Sequence, residues 1–427
     1  MLLLVPLLVV QNAGNRLNVG LPRIHGGDEP HYLVMLSSIL NDVDLDLANN
    51  YGAVHAGEDQ AGRNFRGSAL DHHTLWFVAG QRVNWSDVYE NHPDHWRRTE
   101  QGQPVPTRRA GASVAVDGLP EHGAHPAGLP LLLAPLLVPL CGTSLVEPVA
   151  LIISGLCALL ALLMFRRILR HLGADDATAN LTCAVAFLGT PVWYYARTLF
   201  CEPYLLTFAV GAAYFVLVRD RPWVAGLLVG AGMLMKPPFA LVAVPLAWPM
   251  VRSRDFRRLG FAAVGPLIAV GLVAVLHQRL FGSPLRAPQP FTFGNPVEGT
   301  LGLLLSPTKG IIPFSPVMLA CMLGWPALLR QRREAGPLLG LFALYFALMA
   351  SWWAWHGGWC LGPRLVVPVL PFLALGLLAV PTSWWRVVIG LGAVSAFINL
   401  VGVLRYWKTW DHHPFEILVD YALKTAG

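Results

Sequence analysis

Residues 147–170 read EPVALIISGLCALLALLMFRRILR. From Pro148 to Phe165 no side chain carries a charge, a run close to the roughly 20 residues an α-helix needs to cross a bilayer. Arg166, Arg167 and Arg170 follow at once. An apolar run that ends in a basic cluster reads as a membrane helix whose last turn lies on the cytoplasmic side.

Outward from this stretch the pattern recurs. Apolar blocks lie at 129–140, 147–165, 177–195, 203–218, 223–235, 238–251, 259–281, 311–329, 336–353, 365–380 and 386–404. The first is short and Pro-rich and reads as a re-entrant or interfacial segment. Basic clusters stand at Arg219 and Arg221, at Arg252, Arg254, Arg257 and Arg258, at Arg330, Arg332 and Arg333, and at Arg386. If 129–140 does not cross, every cluster falls on one side; if it crosses, all fall on the wrong side. The charge asymmetry therefore selects the non-crossing reading and makes those loops cytoplasmic.

Composition agrees. Of 427 residues, 55% are hydrophobic and 13% are charged, about half the charged share of a soluble domain. A soluble globular enzyme and a disordered chain are both excluded. The formal charge of +6 does not imply nucleic acid, because the arginines sit in short loops. We read an all-α polytopic membrane protein with about 10–11 transmembrane helices, the first incomplete. Residues 1–22 read as a partial first transmembrane helix. Residues 23–145 read as an extracytoplasmic loop domain with interfacial helices, 146–404 as a multi-helix transmembrane domain, and 405–427 as a short C-terminal tail. The stretch 23–125 holds 14 of the 25 acidic residues and 9 of the 14 histidines, too much for a connector. Within it, Leu33–Leu40 has the spacing of a short helix resting on the interface.

This topology leaves a set of ionisable residues on the outer side. Such residues near membrane depth are costly and usually line a polar cavity. Asp28 and Glu29 lie in Gly26-Gly27-Asp28-Glu29-Pro30-His31-Tyr32. Adjacent carboxylates raise one another's pKa, and one could take a proton from a hydroxyl; a solvated helix-cap acid is the alternative. Lys236 interrupts an apolar hairpin at Met235-Lys236-Pro237-Pro238, as a phosphate-binding point charge or as a snorkelling side chain. Arg364 closes the run Trp352 to Pro363, rich in Trp and Gly. It is placed to fork onto a phosphate, or the run is an interfacial aromatic belt. Lys309, in Ser306-Pro307-Thr308-Lys309-Gly310, meets an anion or is an ordinary interfacial Lys. His72, His73, His92 and His95 invite a zinc reading, but their spacing matches no closed motif. The six cysteines read as small buried hydrophobes, with a Cys201–Cys360 pair left open.

Taken in order, these pieces resemble the GT-C class of membrane glycosyltransferases. The nearest group is that of protein O-mannosyltransferases, aminoarabinose transferases and glycosyltransferase family 39-like enzymes. Asp28-Glu29-Pro30-His31-Tyr32 matches the family's acidic motif at the start of the first outer loop. His125-Pro126-Ala127-Gly128-Leu129-Pro130 matches the basic-plus-Pro element that closes it, with Ala124-His125-Pro126 in place of Glu-Lys-Pro. Glu202-Pro203, Lys236 and the Gly357–Arg364 segment match later elements. The resemblance implies a GT-C fold and transfer of a hexosyl or pentosyl group from a polyprenyl-phosphate donor to an acceptor outside the membrane. It implies Asp28 as general base with Glu29 beside it. It places Lys236, Arg364, Lys309 and His125 at the donor phosphate, and His31, Tyr32, Arg197, Glu202 and His356 around the substrate cavity. It implies membrane-lipid contact, no nucleic acid, and the inner membrane of a bacterial cell envelope, in protein glycosylation or glycolipid biosynthesis. It leaves the sugar, the acceptor (lipid, glycan or protein) and any divalent metal open. Two rivals remain at this point: a transporter or flippase of lipid-linked sugars, and a catalytically inactive GT-C-like binding subunit.

Overall fold

A computed structural model describes residues 9–11, 17–19, 21–24, 26–56, 72–90, 96–98, 100, 104–109, 111–112, 114–404, 412–416, 419 and 423. His92 and His95 and most of 405–427 lie outside the described residues.

The first helix, α1 (Glu29–Ser37), starts where the chain is forced to turn. Gly27 adopts a left-handed φ of 63°, and a Cβ there would sit 2.8 Å from the Phe200 ring, so only glycine fits. Glu29 and Pro30 then occupy the first turn, where a negative charge and a residue without an N–H are both favourable. A wide five-residue turn, Ser38–Asp42, ends the helix, and Val43 reverses the chain at a φ of 60°. Tyr32 to Leu36 are all buried. The helix expected to rest on the interface is instead covered all round, because α2 (Ala48–Ala56) and the segment after residue 127 close over it.

Between residues 74 and 123 the described chain forms strands. β3 (Thr74–Val78) pairs antiparallel with β4 (Gln81–Asn84) and with β7 (His122–Gly123). β5 (Trp96–Arg98) pairs with β6 (Pro104–Pro106). A one-turn helix, α3 (Trp85–Val88), follows β4, and Trp76, Val83, Trp85, Val88 and Val116 form a small core of their own. The all-α expectation is thus corrected for this region. The strands have two to five residues, too short to leave a readable alternation. At the start of the chain, Val9–Gln11 (β1) and Leu17–Val19 (β2) pair as an antiparallel hairpin. The partial helix expected over 1–22 is therefore not formed at these positions, where Gln11, Asn15, Arg16 and Asn18 interrupt the apolar run. The rest of 1–16 lies outside the described residues.

From residue 128 to 404 the chain is helical. α4 (Gly128–Leu137) continues into a tight turn at Val138–Leu140, about 20 Å in all and short of a full crossing. α5 (Val146–His171) is the stretch quoted above. Glu147 stands in its first turn and Arg170 and His171 in its last, each opposing the helix dipole. α6 (Asp176–Phe187), α7 (Val192–Tyr195), α8 (Glu202–Leu217), α9 (Pro222–Met235), α10 (Ala243–Arg252) and α11 (Phe256–Phe281) follow. Then come α12 (Pro296–Leu305), α13 (Ile311–Phe314), α14 (Val317–Gln331), α15 (Gly336–Ser351), α16 (Leu370–Ala374) and α17 (Trp385–Leu404). Among the described residues four helices are long and apolar enough to cross a membrane, and six more are apolar but shorter. α12 lies between the apolar blocks 259–281 and 311–329, outside both.

Several apolar blocks are broken helices. Block 177–195 breaks at Thr190-Pro191, and 365–380 runs through tight turns on either side of α16, with Pro368 and Pro371 inside it. Interrupted backbone at membrane depth is tolerated where protein covers it, and Leu365 to Leu375 are all buried. Glycines set the closest packing. A Cβ on Gly226 of α9 would lie 2.2 Å from the Ala262 carbonyl of α11, and one on Gly265 of α11 would lie 2.0 Å from the Gly226 carbonyl. Such backbone-to-backbone approach is what holds helices together where lipid removes the hydrophobic incentive.

Candidate active site

The functional residues converge where α1 meets the Gly-rich segment before α16. Asp28 is the N-cap of α1. Arg364 follows three glycines with left-handed φ, Gly357, Gly358 and Gly362, which fold the Trp-rich segment back on itself. The Arg364 guanidinium donates to the Asp28 carboxylate at 2.8 Å, across 336 residues of sequence. Its Nε stands 3.7 Å from Glu202 Oε1, and its plane lies over the Phe200 ring at 4.9 Å. Lys236, at the end of α9, donates to Glu202 at 2.7 Å. Two acids and two cations therefore alternate in one chain of ion pairs: Asp28, Arg364, Glu202, Lys236.

Most of this network is buried: the side chains of Arg364 and Glu202 are 8% and 1% exposed, and those of Asp28 and Lys236 are 20% and 23% exposed. Burial alone would raise the Asp28 carboxyl. The neighbouring Arg364, then His125, Lys236 and His31, hold it below the usual carboxylate range. Burial pushes the His125 imidazole down to about 4, and pushes His31 down as well. Both rings are therefore neutral near neutral pH, and the positive charge of the site comes from Arg364 and Lys236. Glu202 Oε2 and Arg364 Nε have no hydrogen-bond partner among the described residues, so the pairs leave donor and acceptor capacity unspent.

A cavity of about 270 Å³ opens on this network. Asp28, Tyr32, His125, Lys236 and Arg364 supply its polar wall, and Phe291, Tyr345, Met349, Trp352 and Leu365 its apolar wall. A few convergent polar groups in a largely apolar cleft are the usual form of a small-molecule site.

The other residues singled out by sequence take different places. Glu29 is 1% exposed and accepts the Leu199 N–H at 2.9 Å. It ties α1 to the chain ahead of α8 and does not line the cavity. Arg197 is fully buried and also off the cavity wall. Lys309 donates to the carbonyls of Gly358 and Cys360 at 3.0 and 2.6 Å, so it braces the Gly-rich segment from behind. His356 is exposed, and its Nδ1 accepts the Gly358 N–H at 3.0 Å. His31 lies one turn beyond Asp28 and meets Tyr51 Oη at 2.6 Å. His72 pairs with Glu121 inside the loop region. All six cysteines are unpaired; Cys201 donates to Tyr32 Oη at 3.1 Å. Sequence reasoning missed the apolar wall. Phe291 and Tyr345 carry no motif, and only their approach in space marks them.

No family model matches the chain, and no curated protein matches it by sequence. The structure is similar to the crystal structure of ArnT from Cupriavidus metallidurans in the apo state, with a TM-score of 0.50 and 14% identity. The match covers 96% of this chain and 72% of that one. At this identity the likeness is one of fold: the chain shares the architecture of that protein, as its order of motifs led us to expect.

Proposed function

We propose that the protein is a glycosyltransferase that moves a sugar from a polyprenyl-phosphate donor to an acceptor hydroxyl on the extracytoplasmic side of a bacterial inner membrane. One observation carries the reading. Asp28 shares a single, partly apolar cavity with Arg364 and Lys236, so a base and two phosphate-binding cations face the same space.

The chemistry follows from that arrangement. The donor phosphate is drawn to Arg364 and Lys236, and its isoprenoid tail follows the apolar wall between helices. Engaging Arg364 loosens its pair with Asp28, whose carboxylate then becomes more basic. The acceptor oxygen attacks the anomeric carbon and the bond from that carbon to the phosphate oxygen breaks. The acceptor proton passes to Asp28 and the polyprenyl phosphate leaves with the electron pair. Phosphate is already a weak base, so no second carboxylic acid is needed, unlike in glycoside hydrolysis. The cations stabilise the charge that grows on the leaving oxygens. Attack opposite the phosphate inverts the anomeric centre. Glu202 acts through Lys236 and Arg364 by fixing both cations, and Glu29 acts through the backbone that carries Asp28.

The test is release of radiolabelled sugar from a panel of polyprenyl-phosphate donors, in vesicles holding the purified chain, wild type beside Asp28→Asn. Release by the wild type with a loss of about a hundredfold or more in the variant supports the reading. Equal release by both removes Asp28 as the base. Movement of intact donor across the bilayer without sugar release would favour a flippase. Donor binding with neither activity, across acceptors of all three kinds, would favour a binding subunit.

A further inference from the structure

Three histidines from separate stretches of the chain meet beside the cavity. His31 lies on α1, His73 directly before β3, and His125 between β7 and α4. One ring nitrogen from each lies within 4.8 Å of the other two. Ring centroids are 5.1 Å apart for His31 and His73, 5.5 Å for His31 and His125, and 4.8 Å for His73 and His125. The sugar-transfer chemistry proposed above does not call for three imidazoles together.

The Nδ1 of His31 is held by Tyr51 Oη, which leaves Nε2 for the cluster; a second hydrogen bond that fixes the ring is the usual support of a metal-ligating His. His125 is 92% buried, being 8% exposed, and its Nε2 has no hydrogen-bond partner among the described residues. A buried ring nitrogen in that position asks for something to satisfy it.

We propose that His31, His73 and His125 bind a divalent first-row transition metal, with Zn²⁺ the ion that best suits three neutral imidazoles and one open position. Tetrahedral bonds of about 2.0–2.1 Å set the ligand nitrogens about 3.4 Å apart. The rings must therefore draw in by on the order of 1 Å at the widest pair. Bound there, the ion fastens α1, the entry to β3 and the chain ahead of α4 to one another. Two of these stretches carry Asp28 and His125 to the cavity wall, so the metal would hold the loop region in register over the site. Mg²⁺ and Ca²⁺, which take oxygen ligands, are not expected to bind.

The experiment uses the full chain in detergent, stripped with a chelator. Zn²⁺ is titrated by calorimetry, and Co²⁺ by visible absorption, where a tetrahedral site gives strong bands. The expected result is one ion per chain, with no competition from Mg²⁺. His73→Ala, a change at an exposed side chain, should weaken binding at least tenfold, and Tyr51→Phe should weaken it about 10–100-fold. His171→Ala, at the far end of α5, should bind as the wild type does. Unfolding midpoints of the metal-free proteins separate loss of the site from loss of the fold. Failure of the wild type to take up either ion overturns the proposal, as does uptake that survives in a folded His73→Ala/His125→Ala chain. Metal uptake is read directly, so the result stands apart from whether sugar transfer is found.

Discussion

Arg364→Gln probes the centre of the site. In the structure Arg364 donates to Asp28 at 2.8 Å, lies 3.7 Å from Glu202, and covers Phe200 at 4.9 Å. Removing one partner of a buried ion pair costs about 3–5 kcal/mol when the other charge is left uncompensated. Here Lys236 still holds Glu202 at 2.7 Å and remains near Asp28. The loss should therefore fall at the low end, about 3 kcal/mol. Sugar transfer should fall further, by about a hundred- to a thousandfold in kcat, the usual effect of removing one preorganised donor at a developing oxyanion. Arg364→Lys keeps the charge but not the planar fork, so it should restore stability more than transfer. The pH profile gives a separate readout. Arg364 lowers the Asp28 pKa, so its removal raises that pKa and moves the acid limb of kcat/KM to higher pH. In the wild type the depressed Asp28 contributes stability above its unfolded value of about 3.9, and that contribution is lost only as pH falls through the lower folded value. The assay is single-turnover sugar release in vesicles from pH 4 to 8, beside thermal unfolding in detergent. A folded Arg364→Gln chain with near-wild-type release and an unmoved acid limb would refute the mechanism.

Glu29→Gln keeps an acceptor for the Leu199 N–H and should cost about 1 kcal/mol of stability, the difference between a charge-assisted and a neutral bond; transfer per folded molecule should stay close to wild type, which the vesicle assay reads against Asp28→Asn. Lys309→Met frees the carbonyls of Gly358 and Cys360 and should raise KM for the donor more than it lowers kcat, because Arg364 loses its brace; steady-state kinetics separate the two. Gly226→Leu forces α9 and α11 apart, since even a Cβ meets the Ala262 carbonyl at 2.2 Å; the chain should fail to yield folded protein by size-exclusion chromatography in detergent, while Gly260→Leu, where a Cβ meets nothing within 4 Å, should behave as wild type.

Sequence reasoning reached the helical segments because each is written locally. The blocks at 147–165, 203–218, 223–235, 259–281 and 386–404 correspond to α5, α8, α9, α11 and α17, since an apolar run in a membrane has one way to satisfy its backbone. It reached Asp28, Lys236 and Arg364 because a charge at a Pro- or Gly-marked helix end is costly enough to stand out. It did not reach the strands of 74–123, whose pairing is set by distant partners such as Leu75 and His122.

The sequence alone determined the class of the molecule, the order of its helices and which ionisable groups to suspect, because hydropathy and charge act over a few neighbouring residues. Only the tertiary structure decided what those groups touch. It set Asp28 against Arg364 and Lys236 against Glu202, brought Asp28, Arg364 and Lys236 to one cavity, and turned Glu29 and Lys309 into braces. It also gathered His31, His73 and His125 into one cluster. Electrostatic roles depend on distances of a few ångströms across low-dielectric surroundings, and those distances exist only once segments hundreds of residues apart have packed.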